Sequence, residues 1–153
     1  MIQLFESVKS AMERGENVVL CSILASSGSA PRGAGAKMAV FQNGQALGTI
    51  GGGAVERIAA QQAVELFRTG ASYCQAFCLA PNQVNDIGMI CGGSVTVYFR
   101  FFDHENARDL ELVKTILELL ASGQDAWLVS RMEDGKITAM GTFDEAHGLR
   151  FAE

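Results

Sequence analysis

The sequence predicts an α+β fold, with a mixed β-sheet and packed helices in a single domain. The main support is the order of its segments, which runs helix, three strands, helix, two strands, helix and two strands. The length of 153 residues suits one compact domain, residues 1–153, and 48% hydrophobic residues are typical of a globular chain. A hairpin inserted between the first strand and the second helix argues against a doubly wound fold.

The helices are predicted where apolar residues recur every three or four positions, and the strands where β-branched and aromatic residues cluster. The predicted helices span residues 2–14, 54–69 and 108–121. The predicted strands span residues 18–25, 37–41, 46–50, 72–79, 94–102, 126–132 and 137–143. Two hairpins are expected, one around Asn43–Gly44 and one across Glu133–Gly135, because both segments end in a glycine and favour a tight turn. The segment from Asp144 onward gives no clear pattern.

Charge and cysteine content restrict the classes of function. A formal net charge of −5 argues against nucleic acid as a partner, because phosphate backbones need a basic surface. The longest apolar run, residues 18–25, is far shorter than a membrane span. No signal peptide is evident, and four scattered cysteines suit reduced thiols better than a disulfide scaffold. We therefore expect a cytoplasmic protein.

The stretch from Gly28 to Gly53 is the first candidate site, because it holds 8 of the 17 glycines and no acidic residue. Its only ions are Arg32 and Lys37, within an acid-free window between Glu16 and Glu56. Glycine-rich backbone exposes N–H groups, so this combination favours an anion such as phosphate or a carboxylate. The alternative interpretation is an ordinary surface loop followed by a hairpin.

A triple glycine, Gly51, Gly52 and Gly53, lies between a predicted strand and the start of the second helix. Backbone N–H groups at a helix N-terminus and the helix dipole together attract anions. Glu56 follows in the first helical turn, where it either caps the helix or orders a ligand-binding loop. The pattern is not GxGxxG, which argues against a dinucleotide site.

A second cluster, Gly88 to Gly93, places Cys91 between glycines at the entrance to the strand 94–102. Small flanking residues let a large ligand approach the sulfur. A buried structural cysteine is the alternative. Cys74 and Cys78 lack a matching ligand pair for zinc, and Cys21 lies in a buried strand, so core packing is expected for all three.

Three segments together resemble the conserved blocks of the XdhC/CoxI family: GSAPRGAGAKM, GTIGGGAVE and GMICGGSVTVYF. The resemblance runs from about Ser26 to Phe99. It implies an accessory protein of molybdenum hydroxylases such as xanthine dehydrogenase, which binds the molybdenum cofactor, protects its sulfurated form and helps insert it into the apo-enzyme. This role is that of a chaperone rather than a catalyst.

The resemblance also implies site residues. The cofactor-binding candidates are Pro31, Arg32, Lys37, Gly51, Gly52, Gly53, Glu56, Cys91, Gly92 and Gly93. Molybdopterin carries a phosphate and a dithiolene, so the first two blocks would hold the phosphate, and Cys91 is a candidate contact to the molybdenum or its terminal sulfur. A thiolate is a soft ligand and also a sulfur relay, and the sequence does not choose between these roles.

Two other functions are retained as alternatives. In one, the protein is a sulfurtransferase that carries a persulfide on Cys91, with a cysteine desulfurase as partner. In the other, it is a structural adaptor of the hydroxylase. Whether it forms a homodimer is left open. Many family members continue into a C-terminal Rossmann-like domain that this sequence does not resemble, so we expect a short stand-alone member or a fragment.

Overall fold

A computed structural model describes residues 1–28, 30, 32–78, 93–134 and 136–152. Within these ranges lie three helices and eight strands in two sheets, so the predicted α+β class is confirmed. The elements in chain order are α1 (Ile2–Glu13), β1 (Val18–Ser27), β2 (Lys37–Phe41), β3 (Ala46–Gly48), α2 (Gly53–Thr69), β4 (Tyr73–Cys78), β5 (Ser94–Phe102), α3 (Ala107–Ser122), β6 (Ala126–Glu133), β7 (Lys136–Asp144) and β8 (Gly148–Ala152).

The chain divides into two compact units, one formed by Val19–Phe101 and the other by Met1–Val18 with Phe102–Glu153. The first unit holds a five-stranded sheet in the order β3-β2-β1-β5-β4, together with α2. Its core contains alternate residues of the strands, such as Val19, Cys21 and Ile23 of β1. The period of two along a strand explains this, since every second side chain lies on the same face.

Helix α2 contributes its apolar stripe to the same core. Val55, Ala59, Ala63 and Leu66 are buried and lie three or four residues apart, so they share one face of the helix. The helix ends at Gly70, which adopts the left-handed conformation that terminates many helices. Packing of this stripe fixes the N-terminal end of α2, where the triple glycine lies.

The second unit holds α1, α3 and a three-stranded sheet in the order β6-β7-β8. Helix α3 contacts α1 and all three strands. The predicted hairpin across Glu133–Gly135 joins β6 and β7, which pair antiparallel. Strand β8 was not predicted, because its five residues follow a short polar turn and lack a distinct apolar period.

The strand boundaries differ from the prediction at two positions that matter for the site. Strand β1 continues through Ser26 and Ser27, although the sequence predicts that these serines end the strand. Strand β3 ends at Gly48 rather than residue 50, and the Ile50 N–H donates to the Glu56 carboxylate instead of to a neighbouring strand. In the described part of the chain, no helix has the length and apolar character needed to cross a membrane.

Candidate functional site

Several chain segments that the sequence singles out lie at one edge of the five-stranded sheet, where β1 and β3 end and β2 and β5 begin. At the end of β1, the Ser27 hydroxyl lies 2.7 Å from the Ser94 hydroxyl at the start of β5. Cys78, the last residue of β4, pairs with Ser94 as well. The first glycine-rich block and the chain entering β5 therefore begin side by side.

The beginning of β2 and the end of β3 lie at the same edge. The Ile23 N–H donates to the Ala36 carbonyl at 2.9 Å, and the Gly35 N–H donates to the Ile23 carbonyl at 2.8 Å. Gly35 and Ala36 thus lie opposite the single residue Ile23, which is the pattern of a β-bulge, just before β2 starts. The Thr49 N–H donates to the Lys37 carbonyl at 3.0 Å, which joins the segment after β3 to the first residue of β2.

The turn between β3 and α2 is organised by the Glu56 carboxylate. One oxygen of this carboxylate, Oε1, accepts from the Thr49 hydroxyl, from the Ile50 N–H at 3.1 Å and from the Gly52 N–H at 2.8 Å. The Gly51 N–H donates in turn to the Thr49 hydroxyl at 3.2 Å. Three donors of the turn therefore bind the Glu56 carboxylate directly, and the Gly51 N–H is linked to it through the Thr49 hydroxyl.

The ionisation of Glu56 reflects these contacts. Partial burial raises the pKa of its carboxyl, but the hydrogen bonds from Thr49, Gly52, Ile50 and Gly51 outweigh burial and lower the pKa overall. The hydrogen bonds thus favour the charged carboxylate, because an ionised acceptor forms stronger hydrogen bonds than a neutral one.

The backbone at Gly51 and Gly52 has φ angles of 134° and 79°, which L-residues rarely adopt. Gly52 precedes the first turn of α2 and supplies no side-chain cap. The N–H groups of the first helical turn, from Gly53 to Val55, have no intrahelical partners, because α-helical bonds reach back four residues. The Gly51 and Gly52 N–H groups, in contrast, already donate to the Thr49 hydroxyl and to the Glu56 carboxylate.

The two cations of the acid-free window differ in their surroundings. Arg32 is exposed, and its side chain makes no hydrogen bond or ion pair with any residue in the described ranges. The Lys37 ammonium donates to the Gly35 carbonyl at 3.1 Å, and burial lowers its pKa. Lys37 therefore uses one of its three N–H donors on the bulge before β2, and its predicted contact with an anion stays a prediction, as does that of Arg32.

Three predicted site residues fall outside the described residues: Pro31, Cys91 and Gly92. Gly93 is described and directly precedes Ser94 of β5. The structure thus brings together Gly93, the Gly28 end of the first block and the start of β2, while the position of the Cys91 thiol stays a prediction.

The thiol of Cys21 is unreactive. It is fully buried in β1, and burial raises its pKa to about 12. Since the thiolate is the reactive form, this residue is inert, as the sequence indicates.

Sequence reasoning missed Thr49, Ser27 and Ser94 as parts of this edge. Thr49 lies seven residues before Glu56, and no short-range pattern connects the two. The contact between Ser27 and Ser94 joins residues that are 67 positions apart, so only the order of strands in the sheet reveals it.

Comparison with known proteins gives two results. A model of the XdhC and CoxI family matches residues 11–77. A crystal structure of a xanthine dehydrogenase from Bacillus halodurans has the same fold, with a TM-score of 0.79 at 20% sequence identity; the match covers 97% of this chain and 44% of that chain. The present chain thus spans less than half the length of that protein, and no curated protein matches it. Over residues 11–77 this chain matches the XdhC and CoxI family, which confirms the resemblance that its first two glycine-rich blocks predict.

Proposed function

We propose that this protein is an accessory protein of a molybdenum hydroxylase of the xanthine dehydrogenase type, which binds the molybdenum cofactor, protects its sulfurated form and helps insert it into the apo-enzyme. The observation that carries this proposal is that the described ends of the glycine-rich segments lie at one end of the five-stranded sheet, with Ser27 against Ser94 and Thr49 against Lys37. The family match over residues 11–77 supports the same class of function.

The phosphate end of the cofactor fits the described part of this edge. Arg32 offers an exposed guanidinium that has no partner among the described residues, and the first turn of α2 offers N–H groups and the positive end of the helix dipole. The surrounding window has no acid before Glu56. When bound, the cofactor supplies the molybdenum and its terminal sulfur, and the residues of this edge supply charge and hydrogen-bond donors.

Glu56 has a positioning role in this proposal. A carboxylate in direct contact with a phosphate would repel it, whereas the Glu56 charge is already satisfied by Thr49, Ile50 and Gly52. The internal carboxylate holds the turn in a shape that leaves the amides of Gly53 to Val55 facing outward. Gly51 and Gly52 then allow the backbone conformation of the turn, while their own N–H groups donate within the turn rather than to the cofactor.

Binding is tested by the melting temperature of the protein with and without added molybdenum cofactor. Binding to the folded state stabilises it by RT ln(1 + [L]/Kd), so the melting temperature rises with the logarithm of ligand concentration once that concentration exceeds Kd. We expect a clear increase for the wild-type protein and a smaller one for Arg32→Ala. Arg68→Ala serves as the matched control, since Arg68 is an exposed arginine of α2 that pairs with Glu65. Equal increases in Arg32→Ala and wild type would contradict the phosphate site.

Cys91 is proposed to lie near the molybdenum or its terminal sulfur. Cys91→Ala is expected to retain less sulfurated cofactor and to activate the apo-hydroxylase less well. Unchanged retention and activation would remove this role. A persulfide on Cys91 after incubation with a cysteine desulfurase, detected by mass spectrometry, would support the sulfurtransferase function instead.

A further inference from the structure

The three-stranded sheet of the second unit carries a line of exposed apolar side chains, here called the Trp127 row. Trp127 of β6 is the register partner of Phe143 of β7, and Phe143 is in turn the register partner of Leu149 of β8. Directly opposed residues of antiparallel strands lie on the same face, so the three side chains form one line across the sheet. Their exposed fractions are 50%, 37% and 56%, and the rings of Trp127 and Phe143 are in contact, with centroids 5.6 Å apart.

Helix α3 lies on the opposite face of this sheet. Thr142 and Arg150 line a cleft together with residues of α3. They are the direct sequence neighbours of Phe143 and Leu149. Since successive side chains of a strand point to opposite faces, the Trp127 row faces away from α3. Within the described ranges no element covers the row, because its three side chains stay exposed.

A second apolar line lies beside the Trp127 row. The strand register joins Val129 to Gly141 and Gly141 to Phe151, and the Val129 and Phe151 side chains are partly exposed. Single exposed apolar side chains are ordinary on a protein surface, whereas contiguous ones mark an interaction site. Two adjoining lines across three strands make this face a contiguous apolar surface.

The charge on this face is balanced within the chain. Arg131 follows Val129 on the same face of β6, and its guanidinium carbon lies 5.3 Å from the centroid of the Phe151 ring. The Arg131 Nε is also 3.2 Å from the Glu133 carboxylate. The whole chain has a net charge of −5, which opposes association of two copies in general. Two of these faces brought together would meet no excess charge of one sign.

We propose that this face packs against the same face of a second copy of the chain, in a two-fold symmetric dimer. A two-fold axis places identical surfaces against each other, and the facing sheets would lie about 10 Å apart. The exposed parts of the Trp127 row amount to roughly 300 Å² per copy, or about 600 Å² for two copies. Val129 and Phe151 extend this area toward the roughly 1,000 Å² that a specific interface needs.

Sedimentation velocity and fluorescence of the full chain, over a range of protein concentrations, test the dimer. Trp127 is the single tryptophan of the chain, so its emission reports on the proposed interface. We expect the wild-type protein to change from monomer to dimer as concentration rises. The Trp127 emission is expected to shift to shorter wavelength in parallel, because the indole ring leaves water.

Substitutions in the row identify the interface. Leu149→Asp adds a charge to the row and keeps Trp127 as the reporter, and Trp127→Ser removes the largest side chain. We expect each to raise the dissociation constant of the dimer by at least about tenfold, as for a central interface residue. Val64→Ser is the matched control, since Val64 is 49% exposed on α2 in the other unit, and its dissociation constant is expected to equal that of the wild type.

A protein that stays monomeric over the whole concentration range would overturn the proposal and leave this face to a different protein. A dimer that either Leu149→Asp or Trp127→Ser leaves unchanged would overturn it as well. So would a wild-type dimer that forms without a shift in Trp127 emission, and this test needs no variant to fold.

Discussion

Two turns in this protein are built around a carboxylate, one in each compact unit. Glu56 accepts from a hydroxyl and two backbone N–H groups in the turn before α2. Asp144 accepts from the backbone of Ala146 and His147 in the turn between β7 and β8. In both turns an acid satisfies amides that would otherwise need water.

The difference lies in the cations. Asp144 also binds the His147 ring at 2.8 Å and the Arg150 guanidinium at 2.9 Å, so its charge is balanced by side chains. Among the described residues, Glu56 accepts from neutral donors, and Arg32 of the same unit makes no ion pair with it. The Asp144 turn therefore has its charge balanced by side chains, whereas the Glu56 turn is held by neutral donors, and we propose that an outside anion binds at the Glu56 turn.

The largest effect is expected from Glu56→Ala, which removes the acceptor for three donors. Hydrogen bonds to a charged group contribute about 1.5–3 kcal/mol, and partial exposure reduces this, so we expect a loss of about 2 kcal/mol in the free energy of unfolding. Urea denaturation measures it. Glu56→Gln keeps one carbonyl acceptor and should lose less; equal losses in both variants would show that charge is unimportant to the turn.

Gly52→Ala and Gly148→Ala test whether the two turns differ in function while sharing backbone strain. Both glycines have positive φ, at 79° and 69°, and an added Cβ would meet nothing within 4 Å in either case. Strain alone should cost each variant about 1–3 kcal/mol, and more in Gly52→Ala, because the Gly52 ψ of 178° places it in a region that is almost restricted to glycine. We expect cofactor binding to weaken in Gly52→Ala and to persist in Gly148→Ala. Equal binding by the two variants would contradict the assignment of the anion site to the Glu56 turn.

A smaller effect is expected in the pH dependence of stability. For Asp144, burial raises the pKa, but hydrogen bonds from His147 and the charges of His147 and Arg150 outweigh burial and lower it. The pKa of Glu56 is lowered as well. A lowered pKa in the folded state adds stability above the unfolded pKa, which is lost as pH falls through the folded value.

The free energy of unfolding should therefore decrease as the pH falls below the ordinary carboxyl values of 4.5 for Glu56 and 3.8 for Asp144. Glu56→Gln and Asp144→Asn should each show a shallower decrease in urea denaturation between neutral and acidic pH. A slope identical to that of the wild type in either variant would show that its carboxyl does not contribute.

The sequence predicted much of the fold because local signals were strong. The apolar stripe of α2 and the alternating residues of β5 predicted the boundaries of both elements to within one residue. The acid-free window and the triple glycine also indicated where an anion site would lie. The sequence did not reveal that Glu56 occupies the amides of Ile50 and Gly52, because that depends on how the turn folds back. Nor did it reveal the contact of Ser27 with Ser94, since this contact depends on packing between strands that are distant in sequence.

The central claim is that the sheet edge around Arg32 and the Glu56 turn binds the anionic end of the molybdenum cofactor. Hydrogen–deuterium exchange of the full chain, with and without cofactor, tests this claim most directly. We predict that cofactor slows exchange in residues 32–37 and 49–55 and leaves residues 126–152 unchanged. Slower exchange confined to residues 126–152, or no change in residues 49–55, would contradict it.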